Sequence, residues 1–224
     1  MTYQSAAAQR QFDRWSERYD RSLLQRLFFG PSHRLLLEAL TAEDRRILDI
    51  GCGTGVFAAR VLERWPRAQV WGLDLSEGML RRAVARGRPA AGRLHLVRGD
   101  SGRLPFADDT FDAITCSHSF HHYPQPERVA AEMHRTLRPG GRLFIIDGDR
   151  DRPWGRLVFD VLVVLLEGPV RHLSGRAFRR LFRRVGFADV SQRRRRGFLP
   201  FLLTTGRAVK AGRDFGVPPA PLAA

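Results

Sequence analysis

The stretch Ile47-Leu-Asp-Ile-Gly-Cys-Gly-Thr-Gly55, followed nineteen residues later by Asp74, decides how this chain folds. Ile47, Leu48 and Ile50 form an apolar run that reads as a buried strand. The run breaks into glycines at alternate positions, Gly51, Gly53 and Gly55, and a helical pattern begins at Val56. Glycine carries no Cβ, so such a turn lets a ligand come close to the backbone. The N–H groups at the start of the helix are expected to offer that ligand donors. Asp74 closes the next apolar strand, Val70-Trp-Gly-Leu-Asp74, where a carboxylate can accept from both hydroxyls of a ribose. Together these features point to a cofactor that contains a nucleoside.

Working outward, the chain repeats the same rhythm. Strands are expected near 46–50, 69–74, 94–98, 112–116 and 141–147, and helices near 55–64, 76–86, 126–137 and 156–167. Short apolar strands alternating with helices predict a parallel sheet covered on both faces. Two helices precede this core, over 3–28 and about 32–41. After Ser174 comes an arginine-rich helix (174–185), a strand from Gly186, a loop, and a strand at Phe201-Leu-Leu-Thr-Thr. Two strands so briefly connected must pair as a hairpin, so the sheet is expected to end antiparallel. The fold class is therefore α/β: a Rossmann-like, seven-stranded, mostly parallel, doubly wound sheet with a C-terminal antiparallel hairpin. Residues 1–213 read as one domain, with 1–41 as a helical cap, 149–174 as an insertion and 214–224 as a flexible tail.

The totals bound the rest. At 224 residues with 43% apolar side chains, the chain can bury a core of ordinary size. Its start, Met1-Thr-Tyr-Gln-Ser-Ala, has no basic segment leading into an apolar one, so no signal peptide is expected. The longest apolar run, Leu157 to Leu166, is interrupted by Asp160 and is half the roughly 20 residues a spanning helix needs. Cys52 and Cys116 suggest neither a disulfide framework nor a metal knuckle, and the cytoplasm is the expected compartment. Positive charge is concentrated late: residues 150–213 carry 16 basic groups against 4 acids. The clusters are Arg176, Arg179, Arg180, Arg183 and Arg184, then Arg193 to Arg196. Such charge attracts polyanions, either nucleic acid or an anionic membrane; a solvated helix face and a charge-blunted edge strand account for it equally well.

Several residues narrow the cofactor. A dinucleotide fingerprint starting at Gly51 would need glycine where Val56 stands, which argues against NAD. Asp49, at the strand end, can hold an ammonium group or an ordered water. Gly99-Asp100-Ser101 places another acid at the end of the third strand, suited to an exocyclic amine. Leu104-Pro-Phe then leads to Phe111-Asp112 and the fourth strand, and Leu137-Arg-Pro-Gly-Gly-Arg142 precedes the fifth.

From about residue 12 to 206 this ordered set resembles the class I S-adenosylmethionine-dependent methyltransferases. It is closest to the branch with the ubiquinone/menaquinone-biosynthesis enzymes and related small-molecule methylases. The resemblance implies S-adenosylmethionine as cofactor. Asp49, Gly51, Cys52, Gly53 and Gly55 would surround its methionyl part, with Ser117 beside them. Asp74 would hold the ribose, Leu75 and Met79 the adenine face, and Asp100 with Ser101 the adenine edge. Tyr19 would close over the methionine end.

In an open parallel sheet the ligand lies at the carboxyl ends of the strands, where strand order reverses. The segment after strand four, Cys116-Ser-His118-Ser-Phe-His121-His122-Tyr123, is thus expected on the acceptor side. A neutral imidazole titrates near pH ~6.5, so His121 and His122 are the candidate bases for an acceptor proton. No carboxylate is close in sequence to complete a metal site with His118, His121 and His122, so no metal is expected. The sequence lacks the Asn/Asp-Pro-Pro-Tyr and Pro-Cys motifs of nucleic-acid methylases, and aromatics are not interleaved with the arginine clusters as stacking platforms need. The expected acceptor is a small, apolar or aromatic molecule, with transient contact to an anionic membrane. An RNA-modifying enzyme and a non-catalytic cofactor-binding protein are the alternatives.

Overall fold

A computed structural model describes residues 29–87, 90, 92–162, 170, 172–195 and 200–210. The helix expected over 3–28, with Tyr19, and the tail at 214–224 lie outside the described residues, as does part of the 149–174 insertion.

Chain order begins with helix α1 (Gly30–Ala39) and strand β1 (Arg46–Ile50), then α2 (Val56–Arg64), β2 (Gln69–Asp74), α3 (Glu77–Gly87) and β3 (Leu94–Arg98). Strand β4 (Phe111–Ser117) runs into a single 3₁₀ turn at Phe120–His122, then α4 (Pro126–Thr136) and the long strand β5 (Leu137–Gly148). A helix α5 (Pro153–Arg156) continues as a wider π-type turn over Leu157–Leu162; α6 (Gly175–Arg184), β6 (Phe187–Arg195) and β7 (Phe201–Ala208) complete the sheet.

The seven strands lie in the order β3-β2-β1-β4-β5-β7-β6. Every pairing is parallel except the two made by β7, which is antiparallel to β5 and to β6. The expected hairpin is present, and its second strand is the inner one. Burial explains that order: in β7, Phe201 to Thr204 are all buried, whereas β6 alternates with exposed Asp189, Ser191, Arg193 and Arg194. An edge strand tolerates that polarity and a central one does not.

Two apolar layers cover the sheet. On one face α1 and α2 pack Leu36, Phe57, Val61 and Leu62 against Ile47, Val70 and Phe144. On the other, α4 and α6 pack Val129, Met133, Phe178 and Phe182 against Leu48, Ile50, Ile114 and Leu143. Ile47 and Leu48 therefore serve opposite layers, which is why β1 reads as a continuous apolar run. Asp112 is buried far from the strands' carboxyl ends. It accepts the N–H groups of Arg45 and Arg46, both at 2.8 Å, and pairs with Arg138, so the Phe111-Asp112 motif ties β4 to the start of β1.

Candidate active site

Strand order reverses between β1 and β4, and the loops leaving their carboxyl ends part to open a cleft. It holds about 850 Å³ of empty space, part of it open to solvent. Gly51 and Gly53 line it from the turn after β1; Leu73, Asp74, Leu75, Ser76 and Met79 from the end of β2; Gly99, Asp100 and Ser101 from the end of β3; and Ser117 to Ser119 and His122 to Pro124 from beyond β4.

The glycine turn is left-handed at Gly51 (φ 70°), Gly53 (φ 54°) and Gly55 (φ 73°). Its donors, however, are already engaged. Gly51 and Cys52 donate to the Leu73 carbonyl at 2.8 and 3.1 Å, Gly53 to Asp74 Oδ2 at 2.8 Å, and Gly55 to the Cys52 carbonyl at 3.0 Å. These N–H groups close the turn onto β2 and Asp74, which leaves those at the start of α2 as the donors expected to serve a ligand. What the turn offers a ligand is space. A Cβ on Gly53 would meet nothing within 4 Å, whereas one on Gly51 would lie 2.3 Å from Ser119 Oγ.

Two of the turn residues expected around the cofactor do not line the cleft. Gly55 faces Ala83 of α3, where a Cβ would sit 3.0 Å from the alanine Cβ, so it serves helix packing. Cys52 is buried against Gly72 of β2. Burial, with the charges of Asp74 and Asp49, pushes its thiol well above the ordinary range, so it stays protonated.

Asp74 is oriented by backbone donors: Oδ2 accepts from Gly53 and Oδ1 from Ser76 at 2.9 Å. A carboxylate has about four acceptor directions, so these bonds aim it without exhausting it. Ser76 Oγ accepts the Met79 N–H at 3.2 Å, which starts α3 and sets Leu75 and Met79 along one wall. Asp100 is exposed and accepts the Gly102 N–H at 2.8 Å; Ser101 beside it is buried. Ser117 Oγ is buried on the cleft wall with no hydrogen-bond partner among the described residues. A buried hydroxyl left so is costly unless a ligand satisfies it. The open wall at Gly53, the anchored Asp74 and this orphaned hydroxyl fit a polar, nucleoside-bearing group.

Asp49 lies beneath the cleft, 2% exposed, and accepts from Thr115 Oγ1 at 2.8 Å. Burial, opposed by that hydrogen bond and reinforced by Asp74, raises its carboxyl to about 7. In the unfolded chain it would titrate near ~3.9, so the folded state holds this proton more tightly. The resulting stability is complete below about pH 4 and is lost as pH rises through about 7. Asp49→Asn should remove that dependence. Thermal unfolding without ligand should show the wild type losing on the order of 2 kcal/mol relative to the variant between pH 5.5 and 7.

The histidines divide. Phe120, buried against Phe178 and Phe182, pins the 3₁₀ turn. His122 lines the cleft. His121 does not: it is buried, with Nδ1 2.7 Å from Oδ1 of Asp147 at the end of β5. Its ring lies 4.2 Å from that of His122 and stacks at 4.2 Å on His172, whose Nε2 is 3.9 Å from the same carboxylate oxygen. Burial opposes ionisation of Asp147, but His121, His172 and His118 hold its carboxyl below the usual carboxylate range. The carboxylate that seemed missing from the histidine segment therefore comes from another strand. His121, Asp147 and His172 bring their ligand atoms within 4.8 Å of one another, but His121 Nδ1 is already engaged with Asp147. The trio is held by the one hydrogen bond between His121 and Asp147, with His172 stacked on the His121 ring.

Ser119 joins the two loops of the cleft, with Oγ donating to the Ile50 carbonyl at 3.2 Å and lying 2.8 Å from the Tyr123 hydroxyl. Asp147 carries a legible signal, a lone acid ending the apolar strand Leu143-Phe-Ile-Ile-Asp147, like Asp49 and Asp74. His172 carries none. Tyr19 lies outside the described residues.

Residues 47–141 match a family model described as a methyltransferase domain. The C-methyltransferase UbiE of ubiquinone and menaquinone biosynthesis from Syntrophotalea carbinolica is 40% identical over 141 residues, 61% of this chain and 59% of that protein. The demethylmenaquinone methyltransferase of Deinococcus radiodurans is 37% identical over 148 residues, 63% of this chain and 60% of that protein. Among solved structures, an S-adenosylmethionine-dependent methyltransferase of Thermotoga maritima superposes with a TM-score of 0.72 at 24% identity, covering 90% of this chain and 99% of that one. Over residues 47–141 this chain is thus similar to a methyltransferase domain, and the likeness to these methyltransferases extends over about three fifths of its length. The matched region spans only about three fifths of the length of these curated relatives.

Proposed function

We propose that this chain binds S-adenosylmethionine in the cleft and transfers its methyl group to a small apolar or aromatic acceptor in the cytoplasm. The observation that carries this reading is Asp74, held by the Gly53 and Ser76 N–H groups beside the open wall at Gly53. Asp74 would accept from the ribose hydroxyls, Leu75 and Met79 would flank the adenine, and Asp100 with Ser101 would meet its edge. Gly51, Gly53 and Ser117 would border the methionyl end, with Tyr19 closing over it. Asp49 would act from below, ionising when a cation arrives above it. When bound, the cofactor supplies an activated methyl group, and alignment and desolvation are left to the protein.

His122 would take the acceptor's proton, and His121, locked by Asp147, would position it as a neighbouring ring. The acceptor would enter beside Phe29, His118 and Phe201, whose rings lie 5.0 and 4.8 Å apart in sequence around His118, with the 149–174 insertion as the outer wall. An apolar mouth of this kind suits a lipid-soluble acceptor delivered by transient contact with an anionic membrane. No described helix is long and apolar enough to cross one. An RNA acceptor is not favoured: the relatives named above act on quinone precursors by name, and the arginine clusters are split between the sheet's two faces.

Calorimetric titration with S-adenosylmethionine and with NAD tests the cofactor. Label transfer from the methyl donor into fractionated extract tests the acceptor class. His122→Ala should lower kcat by about 10²–10⁴-fold, the range for a lost general base, with cofactor affinity unchanged. Unchanged turnover would reduce His122 to a shaping residue.

A further inference from the structure

The helix at Pro153–Leu162 is apolar on both sides. Val158 and Phe159 are 3% exposed and join the core layer of α1 and α2; a Cβ on Gly148 would sit 2.6 Å from the Phe159 ring, so this side is seated on the end of β5. Trp154, Leu157 and Val161 point the other way and are 43%, 47% and 44% exposed. Leu157 and Val161 are nearly one turn apart and share a side. A run of large apolar residues facing water marks a contact surface.

The charge beside it is one-sided. The acids of this segment are all paired with arginine: Asp160 with Arg150 at 2.7 Å, and Asp149 and Asp151 with Arg194. Arg152 and Arg156 are exposed on the same helix, with no carboxylate partner among the described residues. Arg194 also joins the helix start to a groove that carries Arg34, Arg60, Arg193 and Arg195 against the single acid Glu38. Arg193 and Arg195 stand opposite Leu203 and Phe201, on the side of α1 and α2. The other arginine cluster, on α6, belongs to the opposite layer.

We infer that the outer side of the Pro153–Leu162 helix, with the adjoining arginine groove, docks on an anionic phospholipid surface. Apolar side chains with an interfacial tryptophan would enter the headgroup boundary while the arginines meet lipid phosphates. Helix and groove both lie at the carboxyl ends of the strands, so docking would turn the acceptor side of the cleft to the membrane. This deepens the reading above by assigning its partner a surface.

Co-sedimentation of the full chain with phosphatidylcholine vesicles, with and without phosphatidylglycerol, tests the inference. Binding should require the anionic lipid and weaken at high salt. The double variant Leu157→Glu/Val161→Glu should lose at least tenfold in vesicle affinity, and Arg152→Glu with Arg156→Glu roughly fivefold per position or more. Arg180→Glu with Arg184→Glu, exposed on α6, should change binding far less. No binding to anionic vesicles overturns the inference, as does binding that survives the first pair and fails with the α6 pair. A dimer that dissociates on Leu157→Glu without vesicle binding assigns this side to a second copy instead. S-adenosylmethionine titration of the same proteins keeps the outcomes apart: vesicle binding without cofactor binding sinks the proposed function alone, and the converse sinks only the docking.

Discussion

Asp74→Ala is expected to weaken S-adenosylmethionine binding at least a hundredfold in calorimetric titration. Its carboxylate is the acceptor for the Gly53 and Ser76 N–H groups, and hydrogen bonds to a charged group contribute about 1.5–3 kcal/mol each. Removing it frees the turn after β1 and the start of α3 together, before any loss of ribose contacts. Asp74→Asn separates shape from charge: one amide oxygen replaces two carboxylate oxygens, so only one of the two N–H groups keeps its acceptor. That variant should fall between wild type and alanine. A second readout needs no cofactor. Asp74 is among the causes that raise the Asp49 carboxyl to about 7, so either substitution should move the Asp49 titration downward. An alanine variant with full affinity and an unmoved Asp49 would place the cofactor elsewhere.

The parts of this molecule that could be read from its sequence are those set by local pattern and burial. Ile47, Leu48 and Ile50 sit between two helical layers, and an apolar run ended by glycines follows directly from that. Asp74 was legible because a lone carboxylate closing a buried strand has few uses other than a ligand or a turn. Long-range pairing was harder. The residues of β6 and β7 announce a hairpin, yet only pairing to β5 puts β7 inside, though its unbroken apolar start was a usable sign. The donors of the glycine turn could not be assigned without knowing that the Leu73 carbonyl and Asp74 would take them. His121 and His122 are adjacent in sequence and look alike as candidate bases; a 3₁₀ turn points His122 into the cleft and His121 at Asp147, 26 residues on. Arg176 to Arg184 and Arg193 to Arg195 look like one basic region until the sheet divides them.

Gly53→Val should abolish cofactor binding while leaving the fold nearly intact, and the contrast with Gly51 makes the result diagnostic. At Gly53 a Cβ meets nothing within 4 Å, so the added side chain occupies the cleft rather than the core. The folded chain bears chiefly the cost of a branched residue at φ 54°, about 1–2 kcal/mol or somewhat more. That corresponds to a fall in Tm of about 2–8 °C for a chain of this size. The Gly53 N–H can still donate to Asp74, so the turn keeps its closure. At Gly51 the same kind of change lands 2.3 Å from Ser119 Oγ and 2.6 Å from its Cβ. It forces apart the contact by which Ser119 holds the Ile50 carbonyl and Tyr123. Gly51→Ala should therefore lower Tm more than Gly53→Val, although it adds the smaller side chain. If the space at Gly53 is where the nucleoside cofactor lies, loss of binding and loss of stability will separate between these two glycines. Equal affinity in Gly53→Val and wild type would show that the open wall of the cleft faces solvent and nothing else.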